Sequence, residues 1–257
     1  WLTYLAATFL TTRHAGVGGP NIPPPEDGLV AQAVASAPGG PCHVLLSDSV
    51  AEHLPGCNMA FRKRHLQAIG GFDPQFRAAG DDVDVCWRIQ QRGWSLGFSP
   101  GAMVWHHRRD SVRGYWKQQK GYGRAEALLE RKWPEKYNAA GHYTWGGRIY
   151  AGAGALLGGR ARIYQGTWGG APFQSLYQPA AGWLAALPRM PEWYLTIGLL
   201  GALGTLGTAW PPLLAGAGLA ALAAAVSLAQ ALCAAARAPA PCVADAPIRR
   251  LAFRALT

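Results

Sequence analysis

The chain has 257 residues, half of them hydrophobic and only 15% charged, with a formal net charge of +10. A mean hydropathy of +0.02 and so few charges exclude intrinsic disorder and a collagen-like fibre, since soluble domains carry about a quarter charged residues. Five cysteines, at positions 42, 57, 86, 233 and 242, form no C-x-x-C pair, which argues against a disulfide scaffold or a zinc ribbon.

Residues 1–12 place Leu2, Leu5, Ala6 and Phe9 at helical spacing. His14 to Pro20 predicts a short buried strand running into a glycine turn, and 21–41 a loop with a short helix near 28–36. Val44 to Leu46 is the next strand candidate. Arg62 to Ile69 predicts a helix stopped by Gly70-Gly71. A second helix spans 82–92, its first turn holding Asp81, Asp82 and Asp84, as the helix dipole favours. Ser95 to Phe98 and Ala102 to Trp105 are strand candidates. A long helix then starts near Asp110 or Ser111 and ends at Lys132, ahead of Trp133-Pro134.

Charge is unevenly placed. Residues 61–136 hold 15 Lys/Arg against 8 Asp/Glu, whereas 193–236 contain no charged side chain. The Gly- and aromatic-rich stretch 137–192 suits a membrane interface. The uncharged runs 193–209 and 213–236, separated by Trp210-Pro211-Pro212, predict two transmembrane helices in a hairpin. Arg189 before them and Arg237, Arg249, Arg250 and Arg254 after them put both ends on the cytoplasmic side. A basic tail, 237–257, closes the chain. Aromatics lie mostly outside the basic 108–136 stretch, which counts against a nucleic-acid partner.

The chemistry concentrates between residues 56 and 107. Three carboxylates within four residues repel one another, raising at least one pKa in a way that suits a general base; an acidic cap on the helix dipole explains the same letters. The order decides between them: Gly56-Cys57-Asn58-Met59-Ala60-Phe61-Arg62, then Gly70-Gly71-Phe72-Asp73, then Gly80-Asp81-Asp82, then Val104-Trp105-His106-His107. This succession resembles the inverting, GT-A-type glycosyltransferases of family 2.

The resemblance implies an α/β fold: a partial, Rossmann-like GT-A domain over 1–136 that lacks its N-terminal nucleotide-binding half, followed by the membrane segments. The chain begins at Trp1, and Trp1-Leu2 looks like the end of a family segment that follows the D-x-D metal motif. The resemblance further implies Asp82 as the base that deprotonates the acceptor hydroxyl, with Asp81 beside it. It implies Gly56, Asn58, Arg88, Gln118 and Lys120 as substrate contacts. His106 is implied as an additional ligand to a divalent metal, Mg²⁺ or Mn²⁺, whose main D-x-D ligands are expected upstream. Gln118-Gln119-Lys120-Gly121-Tyr122 stands where processive members carry Q-x-x-R-W, and the missing Arg-Trp pair favours single transfer.

The implied partners are a nucleotide-sugar donor, a glycan or lipid-linked acceptor and membrane lipids. The implied location is a bacterial-type inner (plasma) membrane with the catalytic part facing the cytoplasm. The alternative function is a non-catalytic membrane module that keeps the fold for binding or assembly.

Overall fold

A computed structural model describes residues 1–36, 40–41, 43–137, 162–163, 178–179, 187–237, 252–253 and 255–256. It opens with α1 (Leu2–Thr11), β1 (Gly16–Gly18), β2 (Asn21–Ile22) and α2 (Leu29–Ser36). Next come β3 (Val44–Leu45), β4 (Val50–His53), a 3₁₀ turn (Gly56–Asn58), β5 (Met59–Phe61) and α3 (Lys63–Ala68). The elements α4 (Asp81–Gln91), β6 (Leu96–Phe98), β7 (Val104–Trp105) and α5 (Val112–Lys132) complete the compact part.

Five strands form one mixed sheet in the order β3-β4-β6-β1-β5. Its centre is the parallel pair β1 and β6, with Val17 opposite Gly97. Antiparallel β4 and β5 flank that pair. A short parallel pair, β2 with β7, sets Asn21 against Val104 and Ile22 against Trp105 at the strand ends. The mixed α/β architecture with a parallel centre is that of a GT-A-like domain.

Burial explains why α4 lies where it does. Val85, Cys86 and Ile89 share one face of the helix, each 0% exposed, and pack with Leu54, Leu96 and Phe98 of the sheet side. Burying such side chains is worth about 1.5–3 kcal/mol each. Burial also pushes the Cys86 thiol up, in keeping with a packing role. The opposite side of α4 meets α5 through Trp87, Phe76, Leu129 and Trp133. Gly80 makes that crossing possible. Its φ is +84°, and a Cβ there would stand 3.2 Å from both Ala125 and Leu129.

The start of α5 is set by Ser111, whose hydroxyl accepts from the Gly114 N–H at 3.2 Å. Its end is set by Pro134, which opens a 3₁₀ turn (Pro134–Lys136). The sequence-predicted span is thus met to within two residues.

Beyond the compact part, β8 (Arg162–Ile163) and β9 (Gln178–Pro179) pair antiparallel. Apart from those and a few flanking positions, the interfacial segment expected over 137–192 and the tail 237–257 lie outside the described residues. Two apolar helices follow, α6 (Pro191–Thr205) and α7 (Leu214–Arg237). They pack antiparallel at close range. A Cβ on Gly204 would stand 2.7 Å from the Ala217 nitrogen, and one on Gly216 would stand 2.8 Å from the Leu200 carbonyl. The Trp193 indole N–H donates to Ser227 Oγ at 3.0 Å.

The expectation of two spans is corrected in part. Among the described residues one stretch, Pro211–Cys233, is long and apolar enough to cross a membrane. With 15 residues, α6 reaches only about 22 Å at 1.5 Å per residue, against a hydrocarbon core of about 30 Å. The uncharged run carried the first expected span to residue 209; the helix ends at Thr205 and turns through Leu206–Thr208 in a 3₁₀ turn.

Candidate active site

Asp82 sits in the first turn of α4, where the 3₁₀ turn after β4 passes over it. The Gly56 N–H donates to Asp82 Oδ2 at 2.9 Å, and the Val83 N–H donates to Oδ1 at 2.9 Å. His53 Nε2, from the end of β4, lies 3.6 Å from Oδ2. The carboxylate keeps 23% side-chain exposure, so it faces a cleft rather than the core. A Cβ on Gly56 would stand 3.7 Å from Asp82 Oδ2, in van der Waals contact with the carboxylate.

The two neighbouring acids are driven apart. Burial raises the Asp82 carboxyl, but hydrogen bonds and charge from His53 with the Gly56 and Val83 amides outweigh it, leaving the group below its ordinary value. Burial raises Asp81 as well, and the Asp82 charge raises it further. The two carboxyls therefore shift in opposite directions: backbone amides lower Asp81 too but do not outweigh its burial and the Asp82 charge, whereas His53 and two amides do so at Asp82.

Asp84, third of the cluster, does something else. It is 0% exposed. It accepts from Arg88 Nε at 2.7 Å, Trp133 Nε1 at 2.9 Å and Lys132 Nζ at 2.7 Å. Lys132 also reaches Asp73 Oδ2 at 2.6 Å, and that contact holds the Asp73 carboxyl below its usual range. Arg88 Nη1 donates to the carbonyls of Ile69 and Gly71, at 2.8 and 2.6 Å. Arg88, expected among the substrate contacts, thus ties the Gly70-Gly71-Phe72-Asp73 turn to α4.

The acceptor-loop motif divides in the same way. Gly56 faces Asp82. Asn58 is 1% exposed, donates to the Pro20 and Ala102 carbonyls at 2.8 and 2.7 Å, and accepts from Trp1 Nε1 at 2.9 Å. Arg62 binds the carbonyls of Phe9, Thr12 and His14 and so closes the C-terminal end of α1. Asn58, expected among the substrate contacts, directs its amide to these framework partners, as Arg62 does its guanidinium.

A second group of residues, largely cationic, borders a cavity. His106, His107, Arg108, Arg109, Tyr115 and Gln118 line a cavity of about 140 Å³. His107 Nδ1 meets Asp27 Oδ1 at 2.5 Å. Arg108 contacts His106 Nδ1 and donates to Asn21 Oδ1 at 2.8 Å. Burial and the Arg108, Arg109 and His107 charges lower His106, so its ring is neutral at physiological pH. Among the described residues no three His, Cys, Asp or Glu side chains form a group that could hold a metal ion. His106, the expected ligand, has an arginine against one ring nitrogen instead of further ligands.

Helix α5 supplies Tyr115 and Gln118 to that cavity. Tyr122 is raised by burial and by the Asp82 charge, with Arg109 and Arg108 acting the other way; the acid, the phenol and the arginines share one field. Gln118 lines the cavity, whereas Lys120, two positions on, stands on the exposed outer face of α5. The family resemblance had grouped the two.

His53, Tyr122 and the Arg108-Arg109 wall were not legible as site residues. His53 sits in a strand at a position whose only signal is its meeting with Asp82, 29 residues away in sequence.

A family described as glycosyl transferase family group 2 matches residues 2–231. A pre-mycofactocin glycosyltransferase of Mycobacterium tuberculosis (strain CDC 1551 / Oshkosh) is 32% identical over 92 residues, 36% of this chain and 19% of that protein. A probable glycosyltransferase, YdaM, of Bacillus subtilis (strain 168) is 25% identical over 79 residues, 31% of this chain and 18% of that protein. The matched stretch therefore spans about a fifth of the length of these relatives. No solved structure matches significantly. With the family match running through nearly all of the chain, the protein belongs to the family 2 glycosyltransferases.

Proposed function

We propose that the protein takes part in transfer of a sugar from a nucleotide-sugar donor to a hydroxyl of a glycan or lipid-linked acceptor, with inversion. The single observation that carries this reading is Asp82, a carboxylate held ionised by His53 and the Gly56 N–H at the mouth of a cleft.

A sugar hydroxyl is a weak nucleophile at neutral pH. As its oxygen bonds to the anomeric carbon, its proton becomes acidic and passes to Asp82, while the bond from that carbon to the diphosphate oxygen breaks on the opposite face. Gly56 leaves the approach to Asp82 open. The leaving diphosphate lies toward Arg108 and Arg109, whose charges complement it. Gln118 lines the same wall and offers an amide to sugar hydroxyls.

Anchoring is proposed through Pro211–Cys233, with the cleft on the cytoplasmic side of a bacterial plasma membrane. The test is Asp82→Asn in the whole enzyme, which keeps the shape and removes the base. Turnover falls by about 10²–10⁴, with donor affinity little changed. Near-normal turnover in Asp82→Asn alongside a dead Asp81→Asn would transfer the role to Asp81.

A further inference from the structure

The side of α5 turned away from the cleft carries a pattern that sugar transfer does not use. At 3.6 residues per turn, the exposed positions over residues 112–124 of this helix fall within roughly 140° of arc. They sort into two neighbouring stripes: Val112 and Trp116 on one, and Arg113, Lys117, Lys120 and Arg124 on the other. Val112 is 59% exposed and Trp116 63%, and Trp105, just ahead of the helix, is 57% exposed. Between Ser111 and Ala125 the chain has no acidic residue.

A tryptophan held out in water is costly unless a surface receives it, and four cations beside it call for anions. We infer that the outer face of the first three to four turns of α5 rests on an anionic lipid surface. Trp116 and Val112 enter the headgroup layer, where amphipathic rings settle. Arg113, Lys117, Lys120 and Arg124 lie over lipid phosphates, each strengthening association by roughly fivefold. A nucleic acid is a poorer match, since a stacking platform needs several aromatics along the groove, and here Trp116 has Val112 beside it.

The inference shares the membrane of the proposed function but not the chemistry at Asp82. It has a consequence for the cleft. Gln118 lines the cavity from the inner side of the same turns, so a bilayer under α5 lies one helix diameter, about 10 Å, from the site. An acceptor held in the headgroup layer is then within reach of Asp82.

The test uses the chain without substitution, reconstituted into phosphatidylcholine vesicles with or without phosphatidylglycerol. Lysines are modified with an amine-reactive reagent and read by mass spectrometry. With phosphatidylglycerol present, modification of Lys117 and Lys120 slows about fivefold or more, while Lys63, exposed on α3, is unchanged as an internal reference. Added salt reverses the effect, as expected for surface charges. Trp116→Ser weakens the protection without releasing the chain from the vesicles. Equal modification in both vesicle types overturns the inference, as does protection by a single-stranded oligonucleotide but not by anionic vesicles. Chain that fails to float with vesicles overturns the anchor instead, and protection by added anionic vesicles then decides the docking face alone.

Discussion

His53 Nε2 stands 3.6 Å from Asp82 Oδ2, the same oxygen that accepts from the Gly56 N–H. With the Gly56 and Val83 amides, the imidazole offsets the rise that burial imposes on Asp82. His53→Gln is expected to raise the Asp82 pKa towards or above its ordinary value. The acid limb of the turnover profile then moves to higher pH, with a loss smaller than the roughly 10²–10⁴ of removing the base itself. Carboxyl ¹³C titration of Asp82 reads the shift directly; an unmoved Asp82 resonance in His53→Gln would remove His53 from this role. The sign for stability follows from the lowered folded value. The Asp82 contribution is complete above the unfolded carboxylate pKa and disappears as pH falls through the folded one.

The fold and the site differed in how far they could be read from letters alone. Helix spans were legible because their signals are local: Ser111 caps α5, Pro134 ends it, and Gly80 precedes the acids of α4. The order of motifs singled out Asp82 as a candidate for the same reason. Roles within each motif were not legible. Asn58 and Gly56 are two residues apart, yet one is sealed between Pro20, Ala102 and Trp1 while the other lies on Asp82. Those partners are 26 to 57 residues away in sequence, and no periodicity encodes them.

Asp84 governs stability. Its carboxylate is the common acceptor for Arg88, Lys132 and Trp133 inside the α4–α5 contact. Asp84→Asn leaves two cations facing a neutral amide, and is expected to cost about 3–5 kcal/mol. Urea unfolding of the purified protein measures it through a lower midpoint at unchanged slope. A midpoint equal to that of the parent would show that the network is not a stability element.

His43 makes the fold sensitive to acid. It is fully buried, with its ring centroid 4.5 Å from that of Phe98. Burial, with the His53 charge second, lowers its pKa to about 4. The unfolded chain binds this proton near pH 6.5, so stability present above that value is lost as pH falls toward the folded pKa. The loss attributable to His43 approaches roughly 3 kcal/mol. His43→Leu is expected to flatten the stability profile between those two pH values, and an unchanged slope in that variant would assign the acid sensitivity elsewhere.

Two glycines give opposite predictions. Gly19→Ala forces a Cβ to within 2.2 Å of the Ala102 carbonyl oxygen and 2.7 Å of that of Ser99. Backbone cannot step aside cheaply, so a loss above about 3 kcal/mol is expected. Gly123 lies in the middle of α5 with nothing within 4 Å of an added Cβ, and Gly123→Ala is expected to gain about 0.5–1 kcal/mol. Thermal unfolding of both variants against the parent checks the pair.

The three acids at the head of α4 have a bearing on how variants of this protein are to be scored. Asp81, Asp82 and Asp84 occupy one turn of helix, yet only Asp84 is sealed from solvent. A genetic screen that counts surviving activity would return loss at positions 82 and 84 alike, one through chemistry and one through collapse of the α4–α5 contact. Abundance separates them: an Asp82 variant accumulates as a folded, inert protein able to compete with the parent for acceptor, whereas an Asp84 variant is depleted. The first would act as a dominant inhibitor when coexpressed, and the second would be recessive.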